Sequence, residues 1–131
     1  MQLELGDGRT CDDPTPDQVS TALRHLGDLD DAFAILSRSE LHYVQTAGDP
    51  DSGYLLEYQL GSTDRHFRSV NHEVTLDTTE GVFLAYLAGD EGWADPIEWE
   101  PETLAGSGSS LGAAFVIAVT LVLGLLWWAS R

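Results

Sequence analysis

The apolar positions near the amino terminus have a helical period. Thr15, Pro16 and Gln18 have the spacing of an N-cap, a first helical proline and the third residue of a capping box. The apolar residues that follow recur at i, i+3, i+4 and i+7, which places them on one stripe. They are Val19, Ala22, Leu23 and Leu26. The pattern predicts a first helix that ends at Gly27 and packs one face on a core.

A second helical pattern covers residues 75–90. Thr75 has the chemistry of an N-cap, Asp77 and Glu80 lie near the positive end of the helix dipole, and Gly89 can end the helix. Its apolar positions form one stripe along the helix, broader than that of the first helix. They are Leu76, Thr79, Phe83 and Leu87, with Val82 and Tyr86 beside them.

Between the two helices the pattern changes to short alternating segments. Four of them are aromatic or β-branched and are bounded by turn residues, at 32–38, 41–48, 53–61 and 65–71. In the third segment, one set of alternate residues is apolar (Tyr54, Leu56, Tyr58 and Leu60) and the other is mixed (Leu55, Glu57 and Gln59). This alternation predicts one buried sheet face and one mixed face. Residues 1–10 alternate as a further strand, and residues 96–100 predict a last edge strand or a capping segment. We therefore expect an α+β fold, in which two helices cover one face of an antiparallel sheet of four to six strands.

The carboxyl-terminal residues are apolar and uncharged. A helix over residues 111–129 would span about 28 Å, close to the hydrocarbon thickness of about 30 Å. We therefore predict a soluble acidic domain over residues 1–100, a flexible Gly/Ser linker over 101–110 and one transmembrane helix over 111–129. The predicted membrane anchor residues are Leu111, Phe115, Ile117, Leu121, Leu125, Trp127 and Trp128, and the two tryptophans suit the bilayer interface.

The orientation of this anchor follows from the other end of the chain. Residues 1–10 lack the basic and apolar regions of an export signal. We therefore expect a single-pass, tail-anchored membrane protein with a cytoplasmic domain. Arg131 favours the opposite orientation, because the positive-inside rule would place the carboxyl terminus, and not the domain, in the cytoplasm. Small residues four apart in the anchor, such as Ala114 and Ala118, leave the homo-oligomeric state open.

The charge of the chain restricts its partners. The 131 residues include 22 acidic residues and 6 basic ones, all arginine, and the net charge is −16. Nucleic acid and anionic lipid surfaces are repelled by such a domain, whereas a basic protein is attracted. A coding bias or a saline host explains the acidity equally well. If a partner explains it, the candidate partner-binding residues lie in two predicted loops: Asp28, Asp30, Asp31, Asp49 and Asp51.

The sequence contains no motif of an active site or a metal centre. Cys11 lies in a predicted acidic loop that disfavours the thiolate, and the four histidines, His25, His42, His66 and His72, have no metal-ligand spacing. We interpret the histidines as polar surface or edge groups, and we expect no catalytic residue, no cofactor and no enzyme. His66 and Arg68 share one face of a predicted strand, opposite Arg65 and Phe67. The arginines are expected to form structural ion pairs.

Four stretches carry a resemblance to a known family: "DDAFAILSRSELHYVQTAG", "GYLLEYQLGS", "RHFRSVN" and "GVFLAYLAGDEGWADPIEWE". Over about residues 10–100 the chain resembles the first family of bacterial immunity proteins of polymorphic toxin systems. The resemblance implies a small α+β protein that binds and neutralises a cognate toxin, with the acidic face steering it onto a basic toxin. The membrane anchor departs from the usual form of that family.

The expected function is therefore that of a non-enzymatic, tail-anchored protein-binding module, an immunity-like inhibitor of a toxin at the membrane. The partners implied are a protein and the lipid bilayer. The alternative is an accessory or architectural subunit of a larger membrane protein complex, in which the apolar tail makes the essential contacts.

Overall fold

A computed structural model describes residues 1–102 of the chain. Nine elements follow one another: β1 (Gln2–Leu5), β2 (Thr10–Asp12), α1 (Pro16–Arg24), β3 (Phe33–Ser39), β4 (His42–Asp49), β5 (Gly53–Leu60), β6 (His66–Ser69), α2 (Leu76–Ala88) and β7 (Trp99–Pro101). The strands form one antiparallel sheet in the order β2-β1-β3-β4-β5-β6-β7. The predicted α+β class and antiparallel sheet are confirmed.

The predicted number of strands, four to six, is wrong, because the sheet has seven. The residues expected to form one amino-terminal strand lead into a hairpin, which turns at Gly8 with a φ of +89°. In β2, Cys11 lies opposite Leu3, so the cysteine belongs to a strand rather than to the predicted acidic loop. A strand of three residues is too short to show a period in the sequence.

Local capping signals define both helices. The Thr15 side chain accepts the Gln18 N–H, and the Gln18 side chain accepts the Thr15 N–H, so the predicted capping box is present. Helix α1 ends earlier than predicted, at Arg24, and Gly27 lies in the 3₁₀ turn that follows (Leu26–Asp28). Helix α2 has the predicted Thr75 N-cap, and Gly89 is its left-handed C-cap.

The main core lies between the two helices and one face of the sheet. Val19, Leu23 and Phe83 of the helices are fully buried there, against Leu36 of β3 and Leu56 of β5. We name the opposite side of the sheet the outer face. A small apolar cluster of Ile35 and Tyr43 lies on the outer face, and several polar side chains beside it are also buried. The face predicted to be mixed therefore contains the buried polar groups of the domain.

The domain continues slightly beyond its predicted boundary. Pro101 belongs to β7, and the Glu102 N–H donates a 2.9 Å hydrogen bond to the His66 carbonyl. The rest of the predicted linker and the predicted anchor over 111–129 lie outside the described residues. Within residues 1–102, neither helix has the length and hydropathy needed to cross a membrane.

Candidate functional site

The register of strands β4 to β7 brings polar side chains together on the outer face. Glu57 lies opposite Arg68, and Gln59 lies opposite His66. Because alternate residues of a strand share a face, these four side chains point to the same side of the sheet. The pairing of β4 with β5 adds two more residues, and Glu102 follows β7. We name this group the polar cluster: Tyr43, Gln45, Glu57, Gln59, His66, Arg68 and Glu102.

Two carboxylates and one imidazole form the centre of the polar cluster. Glu57 Oε2 lies 3.1 Å from His66 Nε2, and Glu102 Oε2 lies 3.6 Å from the same nitrogen. The exposed fractions of the Glu57, His66 and Glu102 side chains are 3%, 0% and 7%. The ligand atoms of the three residues lie within 4.8 Å of one another, a separation suited to one metal ion.

The orientation of His66 is fixed by a chain of hydrogen bonds. Gln59 Nε2 donates to the Leu41 carbonyl over 3.4 Å, so Gln59 Oε1 faces the other way. This oxygen lies 3.2 Å from His66 Nδ1 and accepts the Tyr43 hydroxyl over 3.2 Å. The Tyr43 hydroxyl also lies 3.5 Å from His66 Nδ1, so Gln59 and Tyr43 both contact this side of the ring. The other ring nitrogen, Nε2, points at the two carboxylates, as a donor when it carries a hydrogen and as an acceptor when Nδ1 carries it.

Burial dominates the electrostatics of these acids. Burial raises the pKa of Glu57, although hydrogen bonds from His66 and Gln45 and the nearby Arg68 oppose the effect. Burial, with the neighbouring Glu57 charge, raises the pKa of Glu102 to about 7. The Tyr43 pKa is also raised, mainly by burial. Two buried oxygens, Glu57 Oε1 and Glu102 Oε2, have no hydrogen-bond partner among the described residues.

Arg68 contacts the edge of the polar cluster. Its Nε lies 2.5 Å from Glu100 Oε1, and one terminal nitrogen lies 4.0 Å from Glu102 Oε1. These contacts confirm the predicted ion pairing of Arg68 and its shared face with His66. The prediction for the histidines is only partly confirmed. His25 and His72 are exposed, whereas His66 is buried and His42 is half-buried, with its Nδ1 2.8 Å from the Tyr86 hydroxyl.

Comparison of the chain with family models, curated proteins and solved structures finds no match. The resemblance to bacterial immunity proteins therefore stays a prediction, based on the four stretches quoted above.

The five predicted partner-binding aspartates lie at one end of the sheet. A Cβ atom at Gly27 would lie 2.7 Å from Asp49 Cβ, so the turn after α1 contacts the end of β4. The Gly48 N–H donates a 3.1 Å hydrogen bond to the Ala32 carbonyl and holds the second loop beside the first. We name this surface the acidic end: Asp28, Asp30, Asp31, Asp49 and Asp51.

The residues of the acidic end do not all have the same role. Asp49 Oδ1 accepts the backbone N–H groups of Asp51 and Ser52, at 2.9 and 2.7 Å, and builds the β4–β5 turn. These hydrogen bonds, led by the one from Ser52, lower the pKa of Asp49. Asp30, Asp31 and Asp51 are exposed, and no described arginine lies within 4.0 Å of their carboxylates. They present their charge to solvent.

An apolar groove lies on the helix side of the sheet, apart from the polar cluster. It has a volume of about 560 Å³ between the β1–β2 hairpin and α1, and Leu3, Leu5, Ala22 and Leu29 contribute to its walls. Cys11 also lines it, with its Sγ 3.6 Å from Gln18 Oε1. The groove supplies apolar surface and one thiol.

Sequence reasoning missed the centre of the polar cluster. Glu57 and His66 lie nine positions apart on two neighbouring strands, and Glu102 lies in the predicted linker. The usable signal was the pair of polar positions two apart in each of the two strands, Glu57 with Gln59 and His66 with Arg68. In a hairpin these pairs can face one another.

Proposed function

We propose that this chain is a non-enzymatic protein-binding module held at the membrane by its carboxyl-terminal segment, with its acidic domain in the cytoplasm. Its partner is a basic protein, and the role that fits the sequence resemblance is inhibition of a toxin at the membrane. The observation that carries the proposal is the acidic end, because two loops separated in sequence present their aspartates together.

The charges of the acidic end support a docking role. Three arginines are paired elsewhere in the described residues: Arg9 with Asp7, Arg24 with Glu80 and Arg68 with Glu100. The exposed aspartates are left to act on an approaching molecule. A surface of one sign accelerates association with a partner of the opposite sign, and salt screens this attraction.

The apolar tail supports the location. Residues 111–129 have the length and composition of a transmembrane helix. A domain tethered there meets a toxin that enters or acts at the bilayer.

The decisive experiment compares two triple variants of equal charge. Asp30→Asn, Asp31→Asn and Asp51→Asn remove charge from the acidic end. Asp64→Asn, Glu91→Gln and Asp95→Asn remove the same charge near the β5–β6 turn and beyond α2. Partners are captured from host membranes with the full-length chain, and the association rate of the purified partner is then measured at increasing salt.

We expect association to slow strongly with salt and dissociation to change little. The first triple variant should lower the association rate by about tenfold or more, and the second should change it less. Equal effects of the two variants, or association that does not respond to salt, would reject the acidic end as the docking surface.

A truncated chain distinguishes this function from that of an architectural subunit. A chain that ends before Leu111 retains the domain and lacks the predicted anchor. It should leave the membrane fraction and still bind the partner. Loss of partner binding by a folded truncated chain would instead favour the subunit, whose contacts lie in the tail. Protease added outside intact cells should not reach the domain, and cleavage from that side would contradict the cytoplasmic orientation.

A further inference from the structure

The centre of the polar cluster holds one imidazole nitrogen against two buried carboxylates. In the tautomer that donates from Nδ1 to Gln59 Oε1, the Nε2 lone pair faces the carboxylates of Glu57 and Glu102. In that tautomer three lone-pair atoms converge, an arrangement that a shared proton or a cation stabilises.

A single proton does not complete this site. A proton between His66 Nε2 and Glu57 Oε2 fits their 3.1 Å separation. It leaves Glu102 Oε2 at 3.6 Å without a donor, and Glu57 Oε1 also stays unpartnered. Buried polar atoms in native proteins are nearly always satisfied. One cation between the three residues contacts the imidazole and both carboxylates at once, which a single proton cannot do.

We propose that Glu57, His66 and Glu102 bind one divalent transition-metal ion of the zinc type. Metal–ligand bonds of 2.0–2.2 Å in a tetrahedral site place neighbouring ligand atoms about 3.4 Å apart. The observed separations from His66 Nε2, 3.1 and 3.6 Å, lie on either side of that value. The imidazole favours zinc and its neighbours over magnesium or calcium, which require mostly oxygen ligands.

The surroundings of the three ligands have the form of a supporting shell. Gln59 and Tyr43 hold the imidazole through its far nitrogen, and Gln45 Nε2 donates to Glu57 Oε2. Such contacts orient metal ligands and are part of most metal sites.

The charge balance agrees with a divalent ion. A bound metal ion takes its carboxylate ligands in the deprotonated form, so Glu57 and Glu102 would bring two negative charges to it, while Arg68 is paired with Glu100. A 2+ ion at the centre therefore neutralises the group. Three protein ligands leave a fourth position for water or for a group of a partner. The metal site is independent of the acidic end and of the identity of any toxin.

The test uses the full-length, tag-free chain in detergent, stripped of metal with a chelator. Co²⁺ is titrated as the probe, because its visible absorption reports tetrahedral coordination, and Zn²⁺ is then added in competition. We expect one equivalent of Co²⁺ to bind and Zn²⁺ to displace it. Glu57→Gln and Glu102→Gln should each weaken binding by at least about tenfold. Glu100→Gln, which removes an acid beside Arg68 but no proposed ligand, should weaken it less.

Two further measurements keep the result decisive. X-ray absorption of the zinc-loaded wild-type chain should show one imidazole with oxygen ligands at about 2.0–2.2 Å and no sulfur. It requires no variant, so it decides the question even if Glu57→Gln does not fold. The double variant of the exposed histidines, His25→Gln with His72→Gln, should bind normally. The proposal is overturned by no binding at tenfold excess of metal, by a sulfur ligand, or by loss of binding only in the exposed-histidine variant.

Discussion

The hydroxyl of Tyr54 in β5 donates a 2.6 Å hydrogen bond to the carbonyl oxygen of Leu23 in α1. Both residues are fully buried. Burial, with the nearby Asp49 and Glu80 charges, raises the pKa of Tyr54 to about 12, so the hydroxyl keeps its hydrogen at neutral pH. One polar contact thus joins the end of the first helix to the centre of the sheet.

Removal of this hydroxyl should destabilise the domain. Tyr54→Phe leaves the Leu23 carbonyl buried without its partner, and we expect a loss of about 1–3 kcal/mol in the free energy of unfolding. Urea unfolding measures this loss in a chain with phenylalanine at Trp127 and Trp128, so that the fluorescence comes from Trp93 and Trp99.

Tyr58→Phe is the matched control for that experiment. The Tyr58 ring stacks on Phe67 at 4.9 Å, but its hydroxyl forms no hydrogen bond within residues 1–102. Its loss should cost less than about 0.5 kcal/mol. Equal costs of the two variants would show that the contact with Leu23 contributes no special stability.

Glu4 should make stability depend on pH. Burial raises its pKa from 4.5 to about 7, and Oε2 is buried without a described partner. Between these two values the folded chain keeps a proton that the unfolded chain releases, so the stability associated with protonated Glu4 is lost as the pH rises. Glu4→Gln stays neutral, and its stability relative to wild type should increase by about 1–3 kcal/mol from pH 5 to pH 8.

The comparison of variant with wild type isolates Glu4, because every other titrating group is present in both chains. Exposed Glu40 supplies the control. Glu40→Gln should show the same difference from wild type at all pH values. Urea unfolding at several pH values measures both, and a pH-independent difference for Glu4→Gln would contradict the burial of this acid in its neutral form.

Two turn glycines should respond differently to alanine. Gly53 and Gly61 both have left-handed backbones, with φ of +92° and +85°. A Cβ at Gly53 would lie 2.7 Å from the Glu73 Cα, whereas nothing lies within 4 Å of one at Gly61. Gly61→Ala should cost about 1 kcal/mol from its backbone alone. Gly53→Ala adds a clash of about 1–3 kcal/mol, because Tyr54 and Val74 hold the two backbones together through hydrogen bonds of 2.8 and 2.9 Å.

Thermal unfolding measures both variants, and we expect its midpoint to fall from wild type to Gly61→Ala and further to Gly53→Ala. A Gly53→Ala chain as stable as Gly61→Ala would mean that the segment after β6 moves freely away from β5.

The elements with local signals were predictable from the sequence. The capping box of Thr15 with Gln18 and the Gly89 cap involve residues close in the chain, so their chemistry is readable before folding. The four central strands were also predicted, because each has several alternating residues between turn signals. The short strand β2 was not, since its three residues acquire their conformation by pairing with β1.

The polar cluster depends on long-range register, which the sequence does not display. Glu57 meets Arg68 and Gln59 meets His66 only in the observed pairing of β5 with β6, and a slip of one residue would turn them to opposite faces. Glu102 resembles a linker residue until β7 joins β6. The two acidic loops, by contrast, were identified from the sequence, and the contact of Gly27 with Asp49 needed the fold.

The two edge strands of the sheet, β2 and β7, affect how the domain behaves when copies of it are crowded together. β2 and β7 are each three residues long, β2 ends in Asp12, and β7 carries Glu100 and Pro101. Short length, charge and proline are the devices that keep an open sheet from adding strands of a neighbouring chain. Molecules concentrated in the plane of a bilayer collide far more often than molecules in dilute solution. At the bilayer location proposed above, these edges would oppose strand addition between neighbouring molecules.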